Sequence, residues 1–267
     1  MGEQKMNIDK ISVKGISCML GEDNERYFVQ QVNIFDDNGE PVDLSKVRYI
    51  PSNLRDKPPV SFQNFLQRVM YKVKGNPDQV IRAVEVSGLN PGLKLTEMDN
   101  SEVAVAYIST LLIGELRLAL VGDLFSKVDD PLKPLVIKQT YKVLKEVGVD
   151  SLLFLSSAKY IGFCDKILVA ARGKLMEEAL GKEFYHPYTL TLINSVLRIG
   201  GRGERTPVNN QITFSDVGCP FHDSCELSRR DRKLRIKCIL DEPKVVRVAE
   251  NRVKCWYFLS ENDNIFD

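Results

Sequence analysis

Leu116-Arg117-Leu118-Ala119-Leu120-Val121, then Ser151-Leu152-Leu153-Phe154-Leu155 and Lys166-Ile167-Leu168-Val169-Ala170, decide the fold. Each is a short apolar run, the pattern of a strand buried on both faces. Between the first two, Pro134 to Val147 sets Leu135, Val136, Val143, Leu144 and Val147 on helical spacing and stops at Gly148. Strand, helix, strand with buried strands predicts an α/β core containing parallel pairs. The third run leads into an Arg172-Gly173 turn and a further strand from Lys174 to Glu177.

Working outward, Asp99-Asn100-Ser101-Glu102 opens a helix running to about Leu112, with an acidic first turn that suits the dipole. Ser61 to Lys74 carries Phe62, Phe65, Leu66, Val69 and Met70 on amphipathic spacing, and Asn76-Pro77-Asp78 starts a short helix toward Val86. Lys10–Lys14 and Tyr27–Phe35 read as strands, the second followed by an Asp36–Gly39 turn. Pro51 to Pro59 is a loop. His186-Pro187-Tyr188-Thr189 leads a helix through Val196, with Pro187 suited to its first turn. Gly200–Gly203 and Thr206-Pro207 form a linker. A phosphate-cradling glycine loop there would need a strand before it and a helix after it.

Composition narrows the class. In 267 residues, 43% are hydrophobic and 27% charged, which excludes disorder and a membrane-spanning bundle. A net charge of +1 gives no overall pull toward nucleic acid or an anionic surface. The polar start, Met1 to Asn7, lacks the apolar core of a secretory signal, and Met6 stands where a myristoylation motif wants Ser or Thr. Val103–Gly114, the most apolar stretch, is too short to span a bilayer. The expected location is therefore the cytoplasm, with any membrane contact made through a partner.

Of six cysteines, Cys18 and Cys164 stand apart in apolar surroundings and read as small buried hydrophobes. The other four follow the spacing Cys219-x5-Cys225-x12-Cys238-x16-Cys255, and four thiolates make the protein ligand set of a 4Fe–4S cluster or an all-thiolate zinc site. Zinc usually takes tight C-x(2–4)-C knuckles, which this chain lacks; a disulfide or no metal are the other readings. Within the set, Arg229 to Lys237 holds six basic residues and one acid. It reads as a contact for an acidic partner, as charge compensation for a cluster with anionic ligands, or as a solvated loop. No aromatics interleave with its charges, so nucleic acid is not expected. Trp256, Tyr257 and Phe258 would shield the cysteine site.

Tyr185-His186-Pro187-Tyr188-Thr189, Leu192–Val196, Gly218-Cys219-Pro220-Phe221-His222 and the closing Arg252-Val253-Lys254-Cys255 resemble the C-terminal region of the ATP-binding subunits of oligopeptide/dipeptide-type ABC transporters. The resemblance extends upstream. Leu116–Asp129 is similar to the family's Walker B strand and following loop, with Gly122 at the aspartate, Asp123 at the catalytic glutamate and Ser126-Lys127-Val128-Asp129 in the loop. Asp165–Val169 with Gly173–Glu177 is similar to its late strand pair. The resemblance implies an ABC-ATPase-like, P-loop-NTPase-related α/β domain over residues 1–181. Residues 182–267 would be a small cysteine-rich extension, carrying a 4Fe–4S cluster as in some members. The gap before Cys238 is longer than usual.

The ATPase elements depart from the pattern. Phosphate binding in this fold needs G-x-x-x-x-G-K-S/T, so that backbone N–H groups surround the phosphates and the Lys neutralises them. No such run exists. Gly15 and Gly21 flank its place, with Glu22 and Asp23 adding negative charge. Leu95–Ser101 stands where the L-S-G-G-Q signature should be. The switch-histidine region has Ser156 and Ser157, because the only histidines are His186 and His222. These read as a helix-start residue and a cluster neighbour, and Asp123 as a strand-end cap. No nucleophile–base pair is visible, so no catalytic residue is assigned and ATP is not expected to bind.

The expected function is a non-hydrolysing cassette subunit that carries the cluster and acts through an intact ABC ATPase subunit or another protein partner, with peripheral membrane association through a transporter. The alternatives are an active transporter ATP-binding subunit and an Fe–S redox or cofactor-assembly protein.

Overall fold

The computed structural model describes residues 11–22, 24–31, 34–35, 44–54, 57–196 and 212–261. In chain order the first elements are β1 (Ile11–Ser12), β2 (Ile16–Leu20), α1 (Asn24–Gln31), β3 (Ile34–Phe35), β4 (Val47–Ile50), α2 (Phe62–Val73), α3 (Pro77–Ser87) and α4 (Asn100–Ser109). Then come β5 (Leu118–Val121), α5 (Lys133–Val147), β6 (Asp150–Leu155), β7 (Lys166–Ala171), β8 (Lys174–Ala179) and α6 (Pro187–Asn194). The tail adds α7 (Glu226–Arg230), α8 (Arg232–Leu240), β9 (Val245–Val248), β10 (Asn251–Lys254) and α9 (Trp256–Glu261). The N-terminal residues, the Asp36–Gly39 turn and the Gly200–Pro207 linker lie outside the described residues.

The chain forms two compact units, one from residues 11–17 and 34–155, the other from 18–33 and 156–267. In the first, β4, β5 and β6 run parallel, Val47 opposite Leu118 and Leu118 opposite Asp150. Every residue of β5 is buried, as are Ser151–Leu155 of β6. The helices start where their caps stand. Ser61 accepts from the Asn64 N–H, Asn76 and Gln79 close a capping box before α3, and Asp99 and Glu102 do the same for α4. Helix α4 is buried almost all round, and its last turn tightens to 3-10 geometry over Thr110–Leu112. On α5 the buried stripe is Val136, Ile137, Thr140, Val143 and Leu144; Leu135, expected inside, is 63% exposed.

In the second unit, β7 and β8 are antiparallel, joined by the expected turn, where Arg172 and Gly173 both take positive φ as a two-residue hairpin loop favours. Strand β10 pairs antiparallel with β8, Arg252 opposite Glu178, and β9 pairs with β10.

Two expectations are corrected. Tyr27–Gln31 belongs to helix α1, with only Ile34–Phe35 extended. A short apolar run does not separate helix from strand by periodicity, and here the buried Asn24 amide donates to Leu20 O (2.6 Å) and Ala170 O (3.0 Å), starting a helix that buries Phe28. Cys18 and Cys164 are buried but not separate: they form a disulfide, Cα atoms 5.8 Å apart across 146 residues of chain.

Between β2 and α1 the chain turns at Gly21, whose φ is +121°. A Cβ there would lie 1.9 Å from Ala170 O. Gly21→Ala is expected to cost about 3 kcal/mol, from the strained φ and the backbone clash together. A guanidinium unfolding midpoint indistinguishable from that of the parent would contradict this.

Candidate functional site

The two C-terminal motifs meet in space. His186 caps α6, its Nδ1 accepting the Tyr188 N–H at 3.1 Å, as a helix-start residue should. The Phe221 ring lies 5.2 Å from Tyr188 and 6.4 Å from His186, centroid to centroid, and Phe214 meets Tyr188 edge-on at 5.3 Å. The His-Pro-Tyr-Thr and Cys-Pro-Phe-His segments therefore share one buried aromatic cluster.

Glu177 on β8 ties this cluster to the tail. Fully buried, it accepts from the backbone N–H of Tyr185 (2.9 Å) and of His186 (3.0 Å) and from Asn251 Nδ2 (2.9 Å). Sequence reading placed Glu177 in a strand and missed this role. Its signal was an acid directly after Leu175-Met176, inside a strand that is buried except at Glu178. Nearby, the Glu242 carboxylate lies 2.9 Å from Lys254 Nζ and 3.4 Å from Lys174 Nζ. Burial would raise its pKa, but the two ammonium groups outweigh burial and lower it.

The four tail cysteines are free and buried. Cys219 donates its N–H to Cys238 O at 2.8 Å, an approach that needs Gly218 in the left-handed region (φ +64°), because a Cβ there would meet Cys238 O at 2.2 Å. Burial pushes the thiols of Cys219 and Cys238 up to about 12 and that of Cys255 up to about 11. Neighbouring thiols add to this, Cys238, Cys255 and Cys225 raising Cys219, Cys255 and Cys225 raising Cys238, and Cys225 raising Cys255, so the thiols share one neighbourhood. Against burial, the Phe221 N–H bonds to the Cys219 thiol, and the Tyr257 and Phe258 N–H groups bond to that of Cys255. His222 lies beside the set, its Nδ1 2.8 Å from Cys219 O, and the Ser228 hydroxyl reaches His222 O (2.6 Å) and Cys225 O (3.0 Å). Among the described residues no group of three or more His, Cys, Asp or Glu is placed to hold a metal ion.

Arg229–Lys237 is not the loop that one reading expected. It spans α7 and α8, because Asp231 caps α8 by accepting from the N–H groups of Lys233 and Leu234, and Leu234 and Cys238 face inward one turn apart. Trp256, Tyr257 and Phe258 are half-buried on α9, with Phe258 edge-on to Tyr185 at 6.2 Å.

At the β2–α1 junction the Glu22 N–H donates to the Tyr188 hydroxyl at 3.2 Å. Burial raises the Tyr188 pKa to about 12, so this hydroxyl stays neutral. At the end of β5, Asp123 accepts from the Ser126 N–H at 3.2 Å, the strand-end cap expected of it. No helix among the described residues is long and apolar enough to cross a membrane.

His186 yields a pH prediction. Burial pushes its pKa down from 6.5 to about 3, only partly offset by its bond to the Lys254 backbone. Below pH 6.5 the unfolded chain takes up a proton that the folded chain refuses until about pH 3. Stability is therefore full above 6.5 and falls with pH by about 1.4 kcal/mol per unit. His186→Asn, which keeps a capping acceptor, should flatten that slope when urea midpoints are compared between pH 7 and pH 4.

Residues 176–231 match the family described as Oligopeptide/dipeptide transporter, C-terminal region. The chain is 36% identical over 74 residues to the oligopeptide transport ATP-binding protein OppD of Escherichia coli (strain K12), a stretch covering 24% of this chain and 21% of that protein. Among solved structures it is similar to a chain of an inward-facing ABC transporter assigned to the metal-chelate type, with TM-score 0.54 and 11% identity over 67% of this chain and 77% of that one. It is also similar to cbiO1 from Clostridium perfringens, part of the ABC transporter complex cbiONQ, with TM-score 0.52 and 13% identity over 66% and 79%. These likenesses show the fold, that of the ABC ATPases, and the C-terminal region is related to that of oligopeptide-transporter ATP-binding proteins.

Proposed function

We propose that the chain is a non-hydrolysing ABC ATPase-like subunit, related to peptide-transporter ATP-binding proteins, that holds a 4Fe–4S cluster on Cys219, Cys225, Cys238 and Cys255 and acts through partner proteins. The observation that carries the reading is the gathering of four free, buried thiols beside the aromatic cluster, with backbone N–H groups already directed at two of them. Such N–H···S bonds are one of the levers by which proteins tune cluster sulfurs. A single zinc ion needs four sulfurs about 2.3 Å from one centre. The tail cysteines lack the tight C-x(2–4)-C knuckles that zinc usually takes, which favours the cluster. When bound, the cluster supplies iron–thiolate bonds that staple the tail. Binding must also displace the thiol protons, so loading is favoured by rising pH.

The absent phosphate loop supports the non-hydrolysing part. At the junction that would replace it, the Glu22 N–H is occupied by Tyr188 and the Glu22 carboxylate adds like charge. Nucleotide titration tests this: ATP should bind no tighter than roughly millimolar, about −4 kcal/mol, with no hydrolysis. Micromolar binding lost in Asp123→Asn would instead establish an active ATP-binding subunit. A cassette core lacking both the glycine loop and the signature cannot use nucleotide to hold a homodimer together, so the partner of choice is an intact ABC ATPase subunit at the cytoplasmic face of a transporter. Recovery of a lone monomer from affinity purification at both low and high salt would remove the partner role.

A further inference from the structure

We infer that the outward face of α8 is a docking surface for an anionic lipid bilayer. Leu234 and Cys238 turn inward. All the other residues of the helix, Arg232, Lys233, Arg235, Ile236, Lys237, Ile239 and Leu240, are exposed. Arg232, Arg235, Ile236 and Ile239 recur at three- and four-residue intervals and so line one stripe. Ile236 is 48% exposed, Ile239 37% and Leu240 66%, three large aliphatic groups within little more than one turn and among four cations.

Among the described residues, only Lys237 of these four cations has a partner, the Trp256 ring. The neighbouring acids are committed, Glu226 to Arg230 and Asp231 to the α8 cap, and Arg232, Lys233 and Arg235 have no ion-pair partner among the described residues. Beyond the Asp231 cap, the first turn of α8 carries Arg232, Lys233 and Arg235 and no acid, and cations there gain nothing from the helix dipole. The aliphatic groups stand on a convex helix surface rather than in a groove. A fluid anionic interface satisfies that layout without shape matching: the aliphatic groups enter the acyl boundary while the long basic side chains reach the headgroups. This face would give the chain a membrane contact of its own, independent of any transporter partner.

The chain's single tryptophan is a local reporter, since the Lys237 ammonium lies 5.7 Å from the Trp256 ring centroid. The test is co-sedimentation of the full-length chain, with Trp256 emission read in parallel, on phosphatidylcholine vesicles with and without phosphatidylglycerol. The expected result is binding to the anionic vesicles only, weakened by salt and accompanied by a blue shift. Removing each cation should lower partitioning about fivefold, so Arg232→Ala/Lys233→Ala/Arg235→Ala should lower it roughly hundredfold. Lys138→Ala/Lys142→Ala/Lys145→Ala on α5 loses the same net charge and should bind like the parent. Ile236→Ser/Ile239→Ser should abolish the blue shift, with far-UV circular dichroism confirming that each variant is folded. The inference is overturned if anionic vesicles fail to bind the chain at low salt, if both triple variants lose binding equally, or if soluble polyglutamate binds this face while vesicles do not. That last result would make it a dock for acidic protein.

Discussion

Glu177→Ala is expected to destabilise the protein by about 5 kcal/mol, because it strips the acceptor from three donors at once in a site without water access. The carboxylate joins three separate pieces of chain: β8, which carries it, the Tyr185-His186 start of α6, and Asn251 at the head of β10. Removing it leaves two backbone N–H groups and an amide without their acceptor and opens a cavity beside the aromatic cluster. Glu177→Gln should fall between the variant and the parent, since one oxygen can still accept while the amide nitrogen confronts a donor. Guanidinium denaturation gives the magnitude, and hydrogen exchange at Tyr185 and His186 gives the location. A loss below about 1 kcal/mol, the worth of one ordinary hydrogen bond, would contradict the assigned role.

Ser at any of positions 219, 225, 238 or 255 should abolish or nearly abolish the visible charge-transfer absorption of anaerobically purified protein, with iron and sulfide lost in parallel. Cys18→Ser and Cys164→Ser should leave it intact, because that pair is bonded to itself and not to the tail set. Colourless protein containing stoichiometric zinc would replace the cluster with the alternative metal. The reach of the staple is also testable. Without metal, α7 and α8 should become the first sites of proteolysis, since only Leu234, Cys238 and Ser228 anchor them among buried side chains. Strand β10 should resist longer, because β8 holds it by a ladder that needs no metal. A metal-free tail as resistant as the loaded one would end the staple role.

Much of the architecture was legible because its signals are local. Ser61, Asn76, Asp99 and His186 mark helix starts through bonds to N–H groups two or three residues on, and the runs at β5, β6 and β7 declare their burial by composition alone. The Arg172-Gly173 turn is likewise settled within the chain itself. Where the sequence misled, the deciding contact was remote. Tyr27–Gln31 became helical where Ala170 O receives the Asn24 amide, and Arg229–Lys237 became two helices where Leu234 and Cys238 found a place to bury.

By itself, then, the sequence determined the buried parallel strands, the helix starts and the lack of any G-x-x-x-x-G-K-S/T run. Each of these depends on residue type or on neighbours within one turn. Only the tertiary structure decided that Cys18 meets Cys164 across 146 residues, that Asn251 meets Glu177 across 74, and that Phe221 packs on Tyr188. It also decided which face of α8 remains outside. Such pairings depend on the path of the whole chain, and a residue's neighbours in sequence hold no information about which distant group that path will bring beside it.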